Sequence, residues 1–124
     1  MSVQSPVNKE YEFTIIARDM PEDQGSKLIA KYEEIALRDG GIIVKKDDWG
    51  TQRLSYPMKK QHRGHYVWYD LATKKENIAE MERNIKFDDN ILKHLVIKIA
   101  DKVDVEQRRI ELAKVFVEEE QQGN

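Results

Sequence analysis

Hydrophobic periodicity constrains this chain more than any other feature, because it switches back and forth between a period of two and a period near three and a half. Tyr11, Phe13, Ile15 and Ala17 alternate with Glu12, Thr14, Ile16 and Arg18, which predicts a strand. Asp19 is then placed to cap a helix, with Pro21 in its first turn. Leu28, Tyr32, Ile35 and Ala36 recur at helical spacing, and Gly40-Gly41 ends the run. Ile42 to Lys46 predicts a second strand, Gly50 a bulge or bend, and Arg53 to Tyr56 its resumption. Pro57 to Gly64 reads as a polar, basic hairpin loop, and His65 to Leu71 as a third strand with aromatics on both faces. Thr73 with Glu76 has the spacing of a capping box. Ile78, Met81 and Ile85 stripe the helix that follows, and Asp88-Asp89-Asn90 is a turn signal. Ile91 to Ala100 predicts the last strand, with Ile91, Leu95, Ile97 and Ile99 on one face and His94 and Lys98 on the other.

The order strand, helix, strand, strand, helix, strand predicts an α+β chain with a ferredoxin-like βαββαβ sandwich. Its four-stranded antiparallel sheet carries two helices on one face. Past Asp101, the spacing of Ile110, Ala113, Phe116 and Val117 predicts a loosely attached amphipathic helix. The expected organisation is a flexible N-terminus over 1–8, one domain over 9–100 and an acidic helical extension over 101–124.

The formal net charge of −2 argues against a chain that binds nucleic acid through bulk positive charge, but it conceals an uneven distribution. Residues 101–124 hold four bases against seven acids. From Trp49 to Tyr69 there is no Asp or Glu at all, while Arg53, Lys59, Lys60, Arg63, His62 and His65 share the stretch with Trp49, Tyr56, Tyr66, Trp68 and Tyr69. Lysine and arginine clustered on a loop contact phosphates and release counterions, and neighbouring aromatics can stack on unpaired bases. For Tyr56, Trp68 and Tyr69, packing in the core or against a partner is the better expectation.

Signals for catalysis are poor. The chain lacks cysteine, so thiolate chemistry and disulfides are excluded. It has no GxGxxG, GxxxxGK[ST], HExxH or GxSxG motif. His62, His65 and His94 lack metal-ligand spacing, and Asp47-Asp48 would point to opposite faces of a strand. Asp88-Asp89-Asn90 lacks the length and the terminal Glu of a calcium loop. No catalytic residue, metal or cofactor is expected. No apolar run reaches the roughly 20 residues that cross a bilayer, and the first ten residues resemble neither a signal nor a transit peptide. These features predict a cytoplasmic, intracellular protein.

At the acid-free stretch the sequence resembles a known family. The run DDWGTQRLSYPMKKQHRGHYVWYDL is similar to the signature of the bacterial small-subunit ribosomal protein six family: an acidic residue, (W/L)G, a basic pair, L(A/S)YP(I/M), a basic loop, and G/A-(H/Y)-(Y/F) entering the third strand. KEYEFTIIARDM resembles the family's opening strand, and EMERNIKFDDNILKHLVIKI its second helix and last strand. Tyr11, Trp49, Gly50, Arg53, Leu54, Tyr56, Pro57, Lys59, Gly64, Tyr66, Lys86, Asp89 and Asn90 match by position. Gln52 stands where a base is usual and Met58 where Ile is usual.

The resemblance implies a ferredoxin-like structural protein of the small ribosomal subunit, not an enzyme. It would bind the central domain of small-subunit rRNA together with small-subunit ribosomal protein eighteen. Lys9, Arg53, Lys59, Lys60, Arg63, Lys86 and Lys93 are the candidate RNA contacts. Tyr56, Tyr66 and Trp68 are the candidates for the partner-protein surface. The missing presequence tilts toward a bacterial rather than an organellar ribosome. Three other readings of such a fold are a small-molecule sensor, a protein-interaction module and an acylphosphatase-like hydrolase. The last would need a basic phosphate loop after the first strand, where this chain has the acidic RDMPEDQG.

Overall fold

A computed structural model of the chain describes residues 8–122, and the side chains from 8 to 114 other than that of Glu106. Its elements are β1 (Asn8–Arg18), α1 (Glu22–Ala36), β2 (Ile42–Met58), β3 (Gln61–Thr73), α2 (Lys75–Lys86), β4 (Ile91–Val103) and α3 (Val105–Gln122). The strands form one antiparallel sheet in the order β2-β3-β1-β4. This is the expected ferredoxin-like sandwich. Residues 1–7, the greater part of the predicted flexible N-terminus, lie outside the described residues, as do the side chains of Phe116 and Val117.

The core follows from the alternation in β1. Tyr11, Phe13, Ile15 and Ala17 face Ile29, Tyr32, Ile35 and Ala36 of α1 and Ile78, Met81 and Ile85 of α2, together with Val67, Tyr69 and Leu71 of β3. Two polar bonds tie the edges of this core. Tyr32 Oη donates to Asp88 Oδ2 at 2.8 Å and Tyr69 Oη donates to Glu33 Oε2 at 2.5 Å. Lys46 Nζ reaches the same Glu33 oxygen at 2.7 Å.

Both predicted helix caps are corrected. Pro21 precedes α1 as its N-cap and no side chain caps that end. Asp19 instead accepts a long hydrogen bond from Thr51 Oγ1 at 3.4 Å. Thr73 is the last residue of β3 and fully buried, and its hydroxyl donates to the Ala36 carbonyl at 2.7 Å while accepting from Asn77 Nδ2 at 3.0 Å. Tertiary contact has taken both side chains that local spacing assigned to caps. α1 ends at Ala36, before the glycines, and a short 3-10 turn over Arg38–Gly40 leads into β2.

The predicted bulge is present: Asp48 pairs with Val67 and Gly50 with Tyr66, leaving Trp49 as the extra residue. Gly50 has φ +73°, a left-handed value that a side chain would make costly. The hairpin loop is shorter than its composition predicts. Met58 still pairs with Gln61, so only Lys59 and Lys60 turn the chain, and Arg63 and Gly64 belong to β3.

The last strand is corrected at its start: Ile91, expected on one face with Leu95, Ile97 and Ile99, is instead buried in the core. Leu95 pairs with Thr14 and Ile97 with Glu12, positions on the face away from the helices. Val96 is on the core side, and His94 stacks on Phe13 with ring centroids 5.9 Å apart. The apolar alternation of β4 therefore points outward, leaving Leu95, Ile97 and Ile99 51%, 58% and 46% exposed.

Candidate nucleic-acid and partner interface

The distal parts of β2 and β3 form a two-stranded arm beyond the helices. Leu54 fastens it to the sheet: it is buried with Ile16 and Leu92, with Met58 and Tyr66 packed alongside. Two polar contacts run parallel to this apolar joint. Lys59 Nζ donates to the Ile91 carbonyl at 2.9 Å, and Lys93 Nζ donates to Tyr56 Oη at 3.2 Å from above its ring.

The tip is strained and cationic. Lys59 and Lys60 have φ of 46° and 65°, the two left-handed residues that a tight hairpin requires and that Asn-Gly normally fills. Holding a side-chain-bearing residue there costs on the order of 1–3 kcal/mol. Arg53 sits directly opposite Arg63 in the ladder, a like-charge pair that disfavours the hairpin. Both are exposed, and among the described residues neither they nor Lys60 make an ion pair. This end of the molecule also holds Lys93 and Lys86, the latter closing α2 with its Nζ 5.8 Å above the ring of Phe87. Lys9 lies at the far end of β1, next to Asp101 at 3.4 Å. Six of the seven candidate RNA contacts thus share one end of the sheet, and Lys9 does not.

Beside the arm, the helix-free face carries the three aromatics proposed for a partner. Trp68 and Tyr66 are half-buried, Tyr56 is exposed, and Trp49 stacks on Tyr66 with centroids 6.2 Å apart. The exposed Leu95 and Ile97 lie on the same face. Sequence reasoning placed these two on one face of the last strand without naming them as partner contacts, and it missed Phe87, which is 78% exposed beside Lys86. Only the β1–β4 register distinguishes the outward face, whereas an aromatic directly following Lys86 is a local signal.

Two ionisable side chains at the base of the arm pair with each other. His65 Nε2 lies 2.6 Å from Asp48 Oδ1. Burial pushes the Asp48 carboxyl upward, but hydrogen bonds from the Gly50 amide and from His65 outweigh it and hold the group below the ordinary carboxylate range. Among the described residues no group of His, Asp or Glu is arranged to hold a metal ion.

Asp70 is different. Burial raises its pKa to about 7, helped by a hydrogen bond with Glu10 and by the charges of Glu10 and Glu12, and opposed by Arg108. The folded chain therefore holds a proton on Asp70 that the unfolded chain releases above about pH 4. That stability is fully present below about pH 4 and is lost as pH rises through about 7. Asp70→Asn, which cannot ionise, should remove this fall and leave the variant more stable relative to the parent at pH 8 than at pH 4. Urea unfolding midpoints across that window measure it, and an unchanged pH slope would show that another group carries it.

Fold and site together define a ferredoxin-like protein with an anchored basic arm and an apolar, aromatic sheet face. The family model described as Ribosomal protein S6 matches residues 10–98. Small ribosomal subunit protein bS6 of Desulfatibacillum aliphaticivorans is 37% identical over 107 residues, 86% of this chain and 58% of that protein. Its counterpart from Syntrophobacter fumaroxidans is 34% identical over 106 residues, covering 85% and 72%. The crystal structure of 30S ribosomal protein S6 from Thermotoga maritima superposes with a TM-score of 0.66 at 22% identity, over 84% of this chain and 96% of that one, a likeness of fold. The chain belongs to the ribosomal protein S6 family.

Proposed function

We propose that this chain is a structural protein of the small ribosomal subunit, in cytoplasmic ribosomes, that binds the central domain of small-subunit rRNA together with small-subunit ribosomal protein eighteen. It needs no cofactor and catalyses no reaction. The observation that carries this reading is the arm. Its turn is strained at two lysines, its two arginines oppose each other, and no acid from Trp49 to Tyr69 relieves them. Phosphates between these cations would remove the repulsion and release counterions. The Tyr66, Trp68, Leu95 and Ile97 side of the sheet supplies the protein-docking surface, with Tyr56 and Trp49 at its rim.

Replacing Arg53, Lys59 and Lys60 together with Ala should weaken binding to a central-domain rRNA fragment in the presence of protein eighteen. It should also flatten the salt dependence by about 0.9 in logarithmic slope per lost phosphate contact. Because Lys59 also holds the arm to Ile91, the pair Arg53→Ala and Arg63→Ala separates charge from anchoring. Wild-type affinity across salt in both variants would remove the arm from the interface.

A further inference from the structure

The helix-free face is open in the middle but closed at the end away from the arm, where α3 crosses it. Asp104 caps α3, accepting from the Gln107 amide at 3.2 Å. The helix starts at the β4 edge and extends to β2, passing β1 and β3, which Arg108 engages. Arg108 Nη2 lies 3.1 Å from Glu10 Oε2 and 3.8 Å from Asp70 Oδ2, and its Nη1 lies 2.9 Å from Glu111 Oε2 on the same helix. The Glu10 and Asp70 side chains are only 11% and 15% exposed. Two carboxyl groups this buried, with Glu12 on the same face, call for a cation above them.

Arg108 fills that role imperfectly. Its guanidinium does not clasp either carboxylate in the two-pronged geometry that makes such pairs strong. Arg108 Nε and Asp70 Oδ1 are buried with no hydrogen-bond partner among the described residues, which weakens the docked state. α3 lies beyond residue 98, where the match to the family model ends. The exposed Leu95 and Ile97 continue on the same face from the covered end.

We infer that α3 is a displaceable self-ligand of the sheet: Arg108 occupies, in the free protein, the acidic seat that an arginine or lysine of a basic, apolar protein segment takes on assembly. This rests on the reading that the helix-free face docks small-subunit ribosomal protein eighteen. A partner base that binds Glu10 and Asp70 bidentately gives Asp70 Oδ1 the hydrogen bond that Arg108 does not supply, and its apolar neighbours cover Leu95 and Ile97.

The test uses the full chain, Arg108→Ala, and the double variant Glu10→Gln with Asp70→Asn. In the isolated proteins, hydrogen exchange of α3 amides should rise in both variants while β1 and β3 stay protected. Titration with protein eighteen should then separate them. Arg108→Ala removes the competitor and binds more tightly, about tenfold if the seat is free in a tenth of parent molecules. The double variant loses the seat and binds more weakly than the parent. In the parent complex α3 should exchange faster than in the free chain.

Unchanged α3 exchange in Arg108→Ala overturns the inference, since Arg108 is then not what holds the helix. Equal or weaker binding by Arg108→Ala, or an α3 that stays protected in the complex, overturns displacement while leaving the docking face in place. No complex with any of the three proteins overturns the docking reading itself and the inference with it. That failure is told apart by the exchange of the isolated chains, which requires no partner.

Discussion

Leu54→Ala is expected to free the β2–β3 arm from the sheet while the helix-covered core stays folded. Leu54 is the one arm residue whose side chain is buried outright, and its neighbours Ile16 and Leu92 lie on β1 and β4. Removing a buried leucine side chain costs about 2–5 kcal/mol, depending on how far the site collapses. The polar contacts that remain, from Lys59 to the Ile91 carbonyl and from Lys93 to Tyr56, contribute roughly 0.5–1.5 kcal/mol each. The apolar joint therefore decides whether the arm stays down. Amide exchange over 53–64 should accelerate strongly while that of Phe13, Ile15 and Val67 changes little. Binding to rRNA should weaken although no charge has been removed, because four cations are no longer held in one arrangement. Unaltered exchange in the arm would mean that the lysine contacts suffice and that Leu54 is only filling space.

Gly41→Ala should lower global stability by more than its single methyl group suggests. A Cβ on Gly41 meets the Ala36 carbonyl oxygen at closer than any van der Waals approach, and Thr73 Oγ1 at 2.6 Å. These two atoms are hydrogen-bonded to each other at 2.7 Å, and Asn77 Nδ2 extends the network to Thr73 Oγ1 and to the Arg38 carbonyl, each at 3.0 Å. Thr73 and Asn77 are both buried. Admitting the methyl group forces backbone apart and breaks a buried polar network, two costs of about 1–3 kcal/mol each. A fall in the thermal midpoint well beyond that of Thr73→Val, which deletes the hydroxyl without crowding, would confirm the order of effects. A Gly41→Ala midpoint within a degree or two of the parent would show that the turn relaxes without disturbing the network.

The element order was legible in the sequence because periodicity is a local property, and β1 shows it best. Its alternation identified both the strand and the buried set of Tyr11, Phe13, Ile15 and Ala17. Sidedness in β4 was not legible. Leu95, Ile97 and Ile99 alternate as a core strand would, and only the pairing of Leu95 with Thr14 and Ile97 with Glu12 turns them outward. The caps failed for a related reason: Asp19 and Thr73 have the right local spacing, but Thr51 and the Ala36 carbonyl, both remote in sequence, engage them. The outer part of the arm, Pro57 to Gly64, read as a loop because a two-stranded ribbon with no helix above it is polar on its exposed positions, like a loop. The acid-free run identified its charge, yet the strain at Lys59 and Lys60 is a backbone fact that composition does not carry. Arg108 went unnoticed because its partner Glu10 is 98 residues away.

β1 is synthesised first but lies inside the sheet, between β3 and β4. Both of its ladders are therefore long-range, the nearer one beginning at Gly64 opposite Arg18. As the chain emerges, β1 has neither neighbour, and its second edge stays unpaired until residues past Ile91 have been made. The β2–β3 hairpin needs only its own two-residue turn. On physical grounds it is the first piece of sheet that can close, in microseconds once both strands are available. The later docking of β1 and β4 then sets the overall rate, because loop-closure entropy must be met before those contacts form. The arm that carries the cations is thus the part of the sheet that can form before the sheet exists.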